Sequence, residues 1–212
     1  MANLSLSTLT PCIAALLAIE SMNIQSKYPT TPDEFLRWNE GREGKREFVR
    51  GRVVEMMINV TRNHVEIATN LVHALRQQLD RKTFSVGSAD FGVRTPDGIR
   101  YPDVFVDHKS SGSQGSDLAA VKPLLLAEVL SPSSYGRDFV EKMADYQHVE
   151  SLLYYLILSH EEPRVWLSTR KQGAWTKPEE VAGADQVLHL NLIDVKLPLA
   201  DLYDGVELRR PA

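Results

Sequence analysis

Residues 124–130 read Leu124-Leu125-Leu126-Ala127-Glu128-Val129-Leu130, six apolar side chains around a single acid. An almost continuously apolar run belongs to a strand covered on both faces, so Val121 to Leu130 reads as a central strand. Ser131-Pro132-Ser133-Ser134 breaks the run, and a helix is expected from about Arg137 to Glu150. On that helix Phe139, Met143, Tyr146 and Val149 share the apolar face. Leu152 to Leu158 is a second strand of buried type, so the centre of the chain is α/β.

Working outward, Thr83 to Arg94 and Ile99 to Asp107 are two strands flanking Thr95-Pro96-Asp97-Gly98, whose composition suits a type I turn. A Ser/Gly-rich connection, Lys109 to Asp117, leads to the central strand. Upstream, Asn63 to Asp80 places Val65, Ala68, Leu71, Val72, Leu75 and Leu79 on one helical face, with Asn63 and Glu66 spaced as a capping box. Glu47-Phe48-Val49, Arg50-Gly51 and Arg52 to Met57 form a β-hairpin pattern. Thr31-Pro32-Asp33-Glu34 starts a short helix that ends near Gly41, with Thr as N-cap and Pro at the first helical position. Arg164 to Ser168 and Trp175 to Val181 suggest a terminal hairpin. No repeat or boundary divides residues 22–212, which are read as a single domain.

The chain has 212 residues, 43% hydrophobic and 25% charged, which excludes a disordered tail, a collagen-like chain and a membrane bundle. Its formal charge of −4 argues against coating nucleic acid by bulk electrostatics but leaves room for a local cleft. A lone cysteine, Cys12, allows neither an internal disulfide nor a thiolate zinc site and points to a reducing cytoplasmic compartment. Leu4 to Ile19 lacks a basic lead and contains Pro11, so it makes a poor signal peptide and a poor membrane span. Residues 1–21 are read either as an N-terminal extension ahead of a translation start at Met22 or as a short N-terminal helix packing on the domain.

Three charges sit where apolar residues are expected. Glu128 is the only charge in the central strand, and a lone carboxylate there is costly unless it meets a metal or a cationic partner. Asp103, in Tyr101-Pro102-Asp103-Val104-Phe105-Val106-Asp107, shares a strand face with Phe105. Lys142 falls between Tyr146 and Val149 on the inward arc of its helix; a snorkelling lysine is the competing reading. The other Pro-Asp pair, Pro96-Asp97, precedes a glycine and is a turn.

An acid on one strand, an acid on the next and a nearby lysine, in the order helix–strand–strand–strand–helix–strand, resembles the PD-(D/E)XK nuclease superfamily and its αβββαβ core. The closer resemblance is to its Uma-two branch of restriction-endonuclease-like proteins. The residues that carry it are Thr31 to Leu36, Arg46 to Met56, Tyr101 to Val106, Leu126-Ala127-Glu128-Val129-Leu130-Ser131-Pro132-Ser133-Ser134, Asp138 with Lys142 and Tyr146, and Leu153 to Ile157. This implies a restriction-endonuclease-like α/β fold: a mixed central sheet flanked by helices, with an N-terminal and a C-terminal hairpin. It also implies a metal-dependent endonuclease acting on DNA.

By the same resemblance, Asp103 and Glu128 would hold Mg²⁺ or Mn²⁺, the Val129 carbonyl would be an extra ligand, and Lys142 would orient the nucleophile or stabilise the phosphate. Glu47 would be an accessory acid; an exposed hairpin glutamate among Arg46, Arg50 and Arg52 is the alternative. The chain departs from the superfamily pattern at Leu130, where lysine is usual, and Lys142 would replace that lysine from the helix. Where the branch often has Asp after its aromatic strand, this chain has Ser159 or its neighbours. Superfamily members often cut as dimers, so a homodimer is compatible with the reading.

Two other readings stay open: a non-catalytic nucleic-acid-binding or partner-binding module on the same fold, and a hydrolase of another phosphate ester. The six histidines lack His-x-x-x-His spacing, and neither glycine-rich phosphate-binding motif occurs. Trp166 and Trp175 are assigned to hairpin packing. Arg42, Lys45, Arg46, Arg50, Arg52 and Arg62, with acids interleaved, fit either a DNA-tracking rim or a solvated hairpin face.

Overall fold

The structure, a computed structural model, describes residues 28–56, 59–110, 113–130 and 137–208. The N-terminal extension, Met22, Cys12 and the Ser131-Pro132-Ser133-Ser134 break lie outside the described residues.

Helix α1 (Pro32–Asn39) starts as expected, with the Thr31 hydroxyl accepting from Glu34 N–H. Strands β1 (Arg46–Val49) and β2 (Arg52–Glu55) pair through a turn in which Arg50 and Gly51 both have positive φ, the two-residue turn whose twist suits a hairpin. Helix α2 (Arg62–Gln78) then crosses the molecule. The two long strands expected next are each bent. The first divides into β3 (Phe84–Ser88) and β4 (Gly92–Thr95), the second into β5 (Gly98–Arg100) and β6 (Val104–His108). Their halves join different sheets, β4 and β5 in one and β3 and β6 in the other. Pro102, which has no N–H to donate, lies at the second bend, and Ala89, with φ 35, at the first.

The chain continues through β7 (Ala119–Ala120), β8 (Pro123–Val129), α3 (Arg137–Gln147) and β9 (Tyr154–Leu158). It closes with β10 (Arg164–Lys171), β11 (Ala174–Trp175), β12 (Glu179–Ala182), β13 (Val187–Leu190), β14 (Val195–Pro198) and α4 (Leu199–Leu202). The main sheet runs β11-β10-β9-β8-β6-β3, with β12 also on β10. Strands β8 and β9 are parallel across α3, and their neighbours in this sheet pair antiparallel, so the sheet is mixed. A smaller sheet, β2-β1-β5-β4-β7, carries α1. Gly98 lets β5 lie against β1: a Cβ there would come 1.9 Å from the Phe48 carbonyl oxygen.

Alternation along β8 sends Leu125, Ala127 and Val129 toward Ile67, Leu71 and Leu75 of α2, while Leu126 and Leu130 pack with Tyr146 and Val149 on the α3 side. Both faces of the central strand are covered, as its sequence requires. On α2 the cap differs from expectation. Thr61, with extended φ and ψ, is the N-cap, and Asn63 lies inside the helix, where its side chain holds the carbonyls of His160 and Glu207. Val65 is exposed and Ile67 takes its place on the inner face, because the apolar stripe is centred one position later. The β13–β14 hairpin and α4, which close the core against α2, lie beyond the last strand expected from sequence. Among the described residues no helix is long and apolar enough to cross a membrane.

Candidate active site

Glu128 is the penultimate residue of β8, on the strand face that looks at α3. Two residues of α3, one helical turn apart, meet it. The Lys142 ammonium lies 3.1 and 3.2 Å from the two carboxylate oxygens, and the Tyr146 hydroxyl donates to Oε1 at 3.1 Å. Lys142 is 6% exposed, so it is buried and not snorkelling. Burial pushes the Glu128 carboxyl up to about 8; Lys142 opposes that rise, and the charges of Asp103 and Glu47 add to it.

Glu47, at 2% exposure in β1, is far from an exposed hairpin residue. Its Oε2 accepts from Arg100 Nη1 at 2.6 Å, its Oε1 accepts from Tyr101 N–H at 3.1 Å, and Lys142 Nζ lies 3.9 Å from that same Oε1. Arg100 in turn donates to Asp145 of α3, through Nε at 3.0 Å and through Nη2. The smaller sheet and α3 are thus joined by a buried chain of alternating charge, Glu128–Lys142–Glu47–Arg100–Asp145, with Arg50 3.7 Å from Asp145 at its outer end. Every charge in it has a partner, as buried charges require.

Asp103 sits at the bend immediately before β6 and not within a strand. Its Oδ2 accepts from Val129 N–H at 2.8 Å, and His64 Nε2 stands 3.1 Å from its Oδ1. The bend matters here. It frees Asp103 from the ladder, so its carboxylate can reach across the end of β8. Asp103 raises the Glu128 carboxyl, which places the two charges in one electrostatic neighbourhood. Asp103, Glu128, Lys142, Glu47 and the Val129 backbone therefore converge, although the sequence separates Glu47 from Lys142 by 95 positions. Leu130, where a lysine is usual in the resembling superfamily, is buried beside Tyr146 in the apolar layer.

Several members of this cluster were not singled out by sequence: His64, Arg100 and Asp145, and the hydroxyl of Tyr146, which counts as core when only its ring is considered. Asp145 and Tyr146 follow Lys142 at the i+3 and i+4 spacing that shares a helix face; that spacing is the signal for Asp145, and Tyr146 is also among the residues that carry the resemblance. Among the described residues no three His, Cys, Asp or Glu side chains converge as a cation cage.

The basic stretch behaves as a solvated face with paired charges. Arg42 stacks on Trp38 at 4.3 Å, Lys45 lies 3.6 Å from Asp90, and Arg46 lies 3.8 Å from Glu55. A cavity of about 350 Å³ opens beside Arg42, Lys45, Arg46 and Tyr101, next to the cluster. Trp166 and Trp175 pack under the terminal strands, with their indole N–H groups on Glu180 and on the Gln147 carbonyl.

Residues 32–200 match the model of the Uma2 family, described as "Putative restriction endonuclease". Two uncharacterized proteins of Synechocystis are similar over 131 residues each. The protein sll1609 is 28% identical, over 60% of this chain and 73% of its own length. The protein slr1290 is 29% identical, over 61% and 68%. The crystal structure of a protein from Anabaena variabilis, described as a putative nuclease belonging to DUF820, superposes with a TM-score of 0.67 at 17% identity, covering 84% of this chain and all of that one. At that identity the likeness is one of fold.

Proposed function

The chain belongs to the Uma2 family, and from that premise we propose that it is a metal-dependent endonuclease hydrolysing DNA phosphodiester bonds, with Asp103, Glu128 and Lys142 as its working residues. One observation carries the reading: a buried lysine ammonium lies 3.1 Å from a buried strand carboxylate, with a second acid bonded to the next backbone N–H of that strand.

The residues fit a divalent cation. Among the described residues, Asp103, Glu128, Glu47 and Asp145 gather around the buried cations Lys142 and Arg100, and the charges of Asp103 and Glu47 add to the burial that pushes the Glu128 carboxyl up to about 8. Two carboxylates without a full protein cage are the donor set typical of Mg²⁺ or Mn²⁺, which keep waters and bridge to substrate phosphate. Asp103 and Glu128 would hold the ion, with the Val129 carbonyl as a further donor. Bound there, it would lower the pKa of a coordinated water and neutralise charge on the phosphate.

The chain's own residues do the rest. Asp103 is oriented by the Val129 N–H on its Oδ2, and His64 Nε2 lies 3.1 Å from its Oδ1. Lys142, drawn from Glu128 when that carboxylate turns to a cation, would donate to a phosphate oxygen or to the attacking water. Glu47 acts in this reading as a positioning residue: held by Arg100 and Tyr101 N–H, it keeps the lysine in place after Glu128 has left it.

A non-catalytic binding module is favoured by one feature, that both carboxyl oxygens of Glu128 are engaged by Lys142. The test is Mn²⁺-dependent cleavage of supercoiled, linear and single-stranded DNA by the wild type beside Asp103→Ala and Lys142→Ala. Cleavage by the wild type and a loss of about 10²-fold or more in both variants is expected. Cleavage surviving in both would move the chemistry elsewhere. No cleavage by the wild type, with Mn²⁺ raising its Tm no more than that of Asp103→Ala, would overturn the metal site, and DNA-affinity titration would then test the binding module.

A further inference from the structure

We propose that the cavity beside the cluster is a subsite for one unstacked nucleobase of a DNA strand, with the sugar–phosphate backbone of that strand on its basic rim. The inference rests on the DNA reading above and deepens it: the substrate is a strand that can present a base out of the stack.

The cavity, about 350 Å³, lies between the C-terminal end of α1, the loop leading from α1 to β1, the bend between β3 and β4, and Tyr101. It shares its wall with the cluster at two points. Tyr101 lines it, and the Tyr101 N–H donates to Glu47 Oε1 at 3.1 Å. Ala89 lines it as well, and the Ala89 N–H donates to the Asp103 carbonyl at 3.2 Å. A strand with one phosphate at Asp103 and Glu128 therefore carries a neighbouring nucleotide past this cavity.

The chemistry of the lining selects the occupant. Arg42, Lys45 and Arg46 are matched by Glu40, Asp90 and Asp117, so the lining has no net charge. A phosphate would call for an excess of cations, and a wholly apolar ligand would strip water from these charges without replacing it. A nucleobase is neutral and flat, with a polar edge. Tyr101 and Phe91, both half-buried, supply aromatic surface of the kind on which bases stack. Phe91 is itself held against Phe105, with ring centroids 5.2 Å apart. Asn39, the last residue of α1, supplies the polar edge. Its Oδ1 is buried with no partner among the described residues, a hydrogen-bonding capacity that goes unused within the fold. Asn39 lines the cavity, so a turn of the amide about its last side-chain bond brings that acceptor to an occupant, and every base has an N–H on its pairing edge to meet it.

The rim suits the backbone of the strand. Arg42 is fixed over Trp38, 4.3 Å from the ring centroid, with Arg46 5.8 Å from the same ring. Lys45 faces Asp90 at 3.6 Å, but both are exposed, and an exposed pair contributes little and gives way to a phosphate. A base inside a duplex is covered above and below and cannot enter; an unpaired or flipped one can.

The test uses the full chain in chelator, where cation-dependent cleavage is silent, and reads binding by fluorescence anisotropy. A labelled oligothymidylate is compared with an abasic strand of the same length and charge. The intact strand is expected to bind about 10- to 100-fold more tightly, the worth of a base stacked on an aromatic wall; equal affinity, or no binding of either strand, overturns the proposal. Asn39→Leu and Tyr101→Leu, each checked for its Tm, are expected to reduce that ratio about threefold or more. Loss of a phosphate contact or of fold weakens both strands alike, so a ratio unchanged in both variants also overturns it. Photo-crosslinking of strands carrying 5-iodouracil at each position in turn is expected to join Tyr101 or Phe91, and adducts confined to residues outside the cavity refute the subsite. Base-dependent binding without Mn²⁺-dependent cleavage keeps the subsite and removes the nuclease reading. Cleavage with equal affinity for intact and abasic strands keeps the nuclease and removes the subsite.

Discussion

Replacing Glu128 by Gln converts a buried acid into a neutral isostere and tests the electrostatics of the whole cluster. In the folded protein the Glu128 carboxyl is pushed from its ordinary 4.5 up to about 8, chiefly by burial. Between those values the folded state holds a proton that the unfolded chain has released. Stability therefore falls as pH rises through this window, is unaffected by Glu128 below it, and carries the full penalty above it. At about 1.4 kcal/mol per pH unit, the span corresponds to a swing of about 5 kcal/mol at most. Glu128→Gln has no proton to lose, so its stability relative to the wild type should rise by several kcal/mol between about pH 5 and about pH 9. Urea unfolding of both proteins in chelator, across that range, measures the difference directly: titrating groups remote from the cluster cancel between them, and what remains is Glu128 together with the Lys142, Asp103 and Glu47 charges coupled to it. Saturating Mn²⁺ should recover the wild type at the alkaline end and do little for the variant. Parallel stability curves would refute the reasoning, because they would mean that Glu128 ionises in the fold as easily as in water.

Arg100→Met leaves Glu47 and Asp145 buried without their shared cation and should cost about 3–5 kcal/mol in chemical denaturation; a cost below about 1 kcal/mol would show that the ion chain is not structural. Tyr146→Phe removes one donor from Glu128 and should cost about 1 kcal/mol in urea unfolding. Gly98→Ala drives a methyl into the Phe48 carbonyl and should destabilise by about 1–3 kcal/mol or more, read as a drop in Tm, and the amides of the β1–β5 pairing should be the first to exchange with deuterium.

The parts of the site that were legible in sequence are those that contrast with their background. Glu128 stands alone in an apolar strand and Lys142 interrupts an apolar helix arc, and both prove to be buried and paired with each other. His64 offers no such contrast, since a histidine in the first turn of an amphipathic helix is unremarked until the fold brings Asp103 to it. Arg100 is hidden in the same way, because in a three-residue strand a single charge does not disturb the alternation. The bends are hidden for another reason. Apolar alternation runs on through Val93 and through Phe105, and periodicity reports which face a residue takes, not which of two sheets it joins. Pro102 alone marks a break, and the residue after it is Asp103.

In the proposed reading a lysine on a helix takes the role of one on a strand, and the packing of α3 on β8 is consistent with that exchange. Leu130 lies on the same strand face as Glu128, and its side chain fills the apolar layer with Tyr146 and Val149. Removing that leucine to admit a lysine would open the layer that seats α3. A lysine arriving from α3 leaves the layer closed and comes with a second donor: Tyr146, one turn further along, bonds the same carboxylate. It also reaches Glu47, which β1 carries in from the other sheet and which Arg100 fixes there. The bend at Pro102 completes the set by turning Asp103 off the ladder and onto Val129 N–H. The helix position therefore ties the ammonium to both sheets at once, and the strand position would have tied it to one.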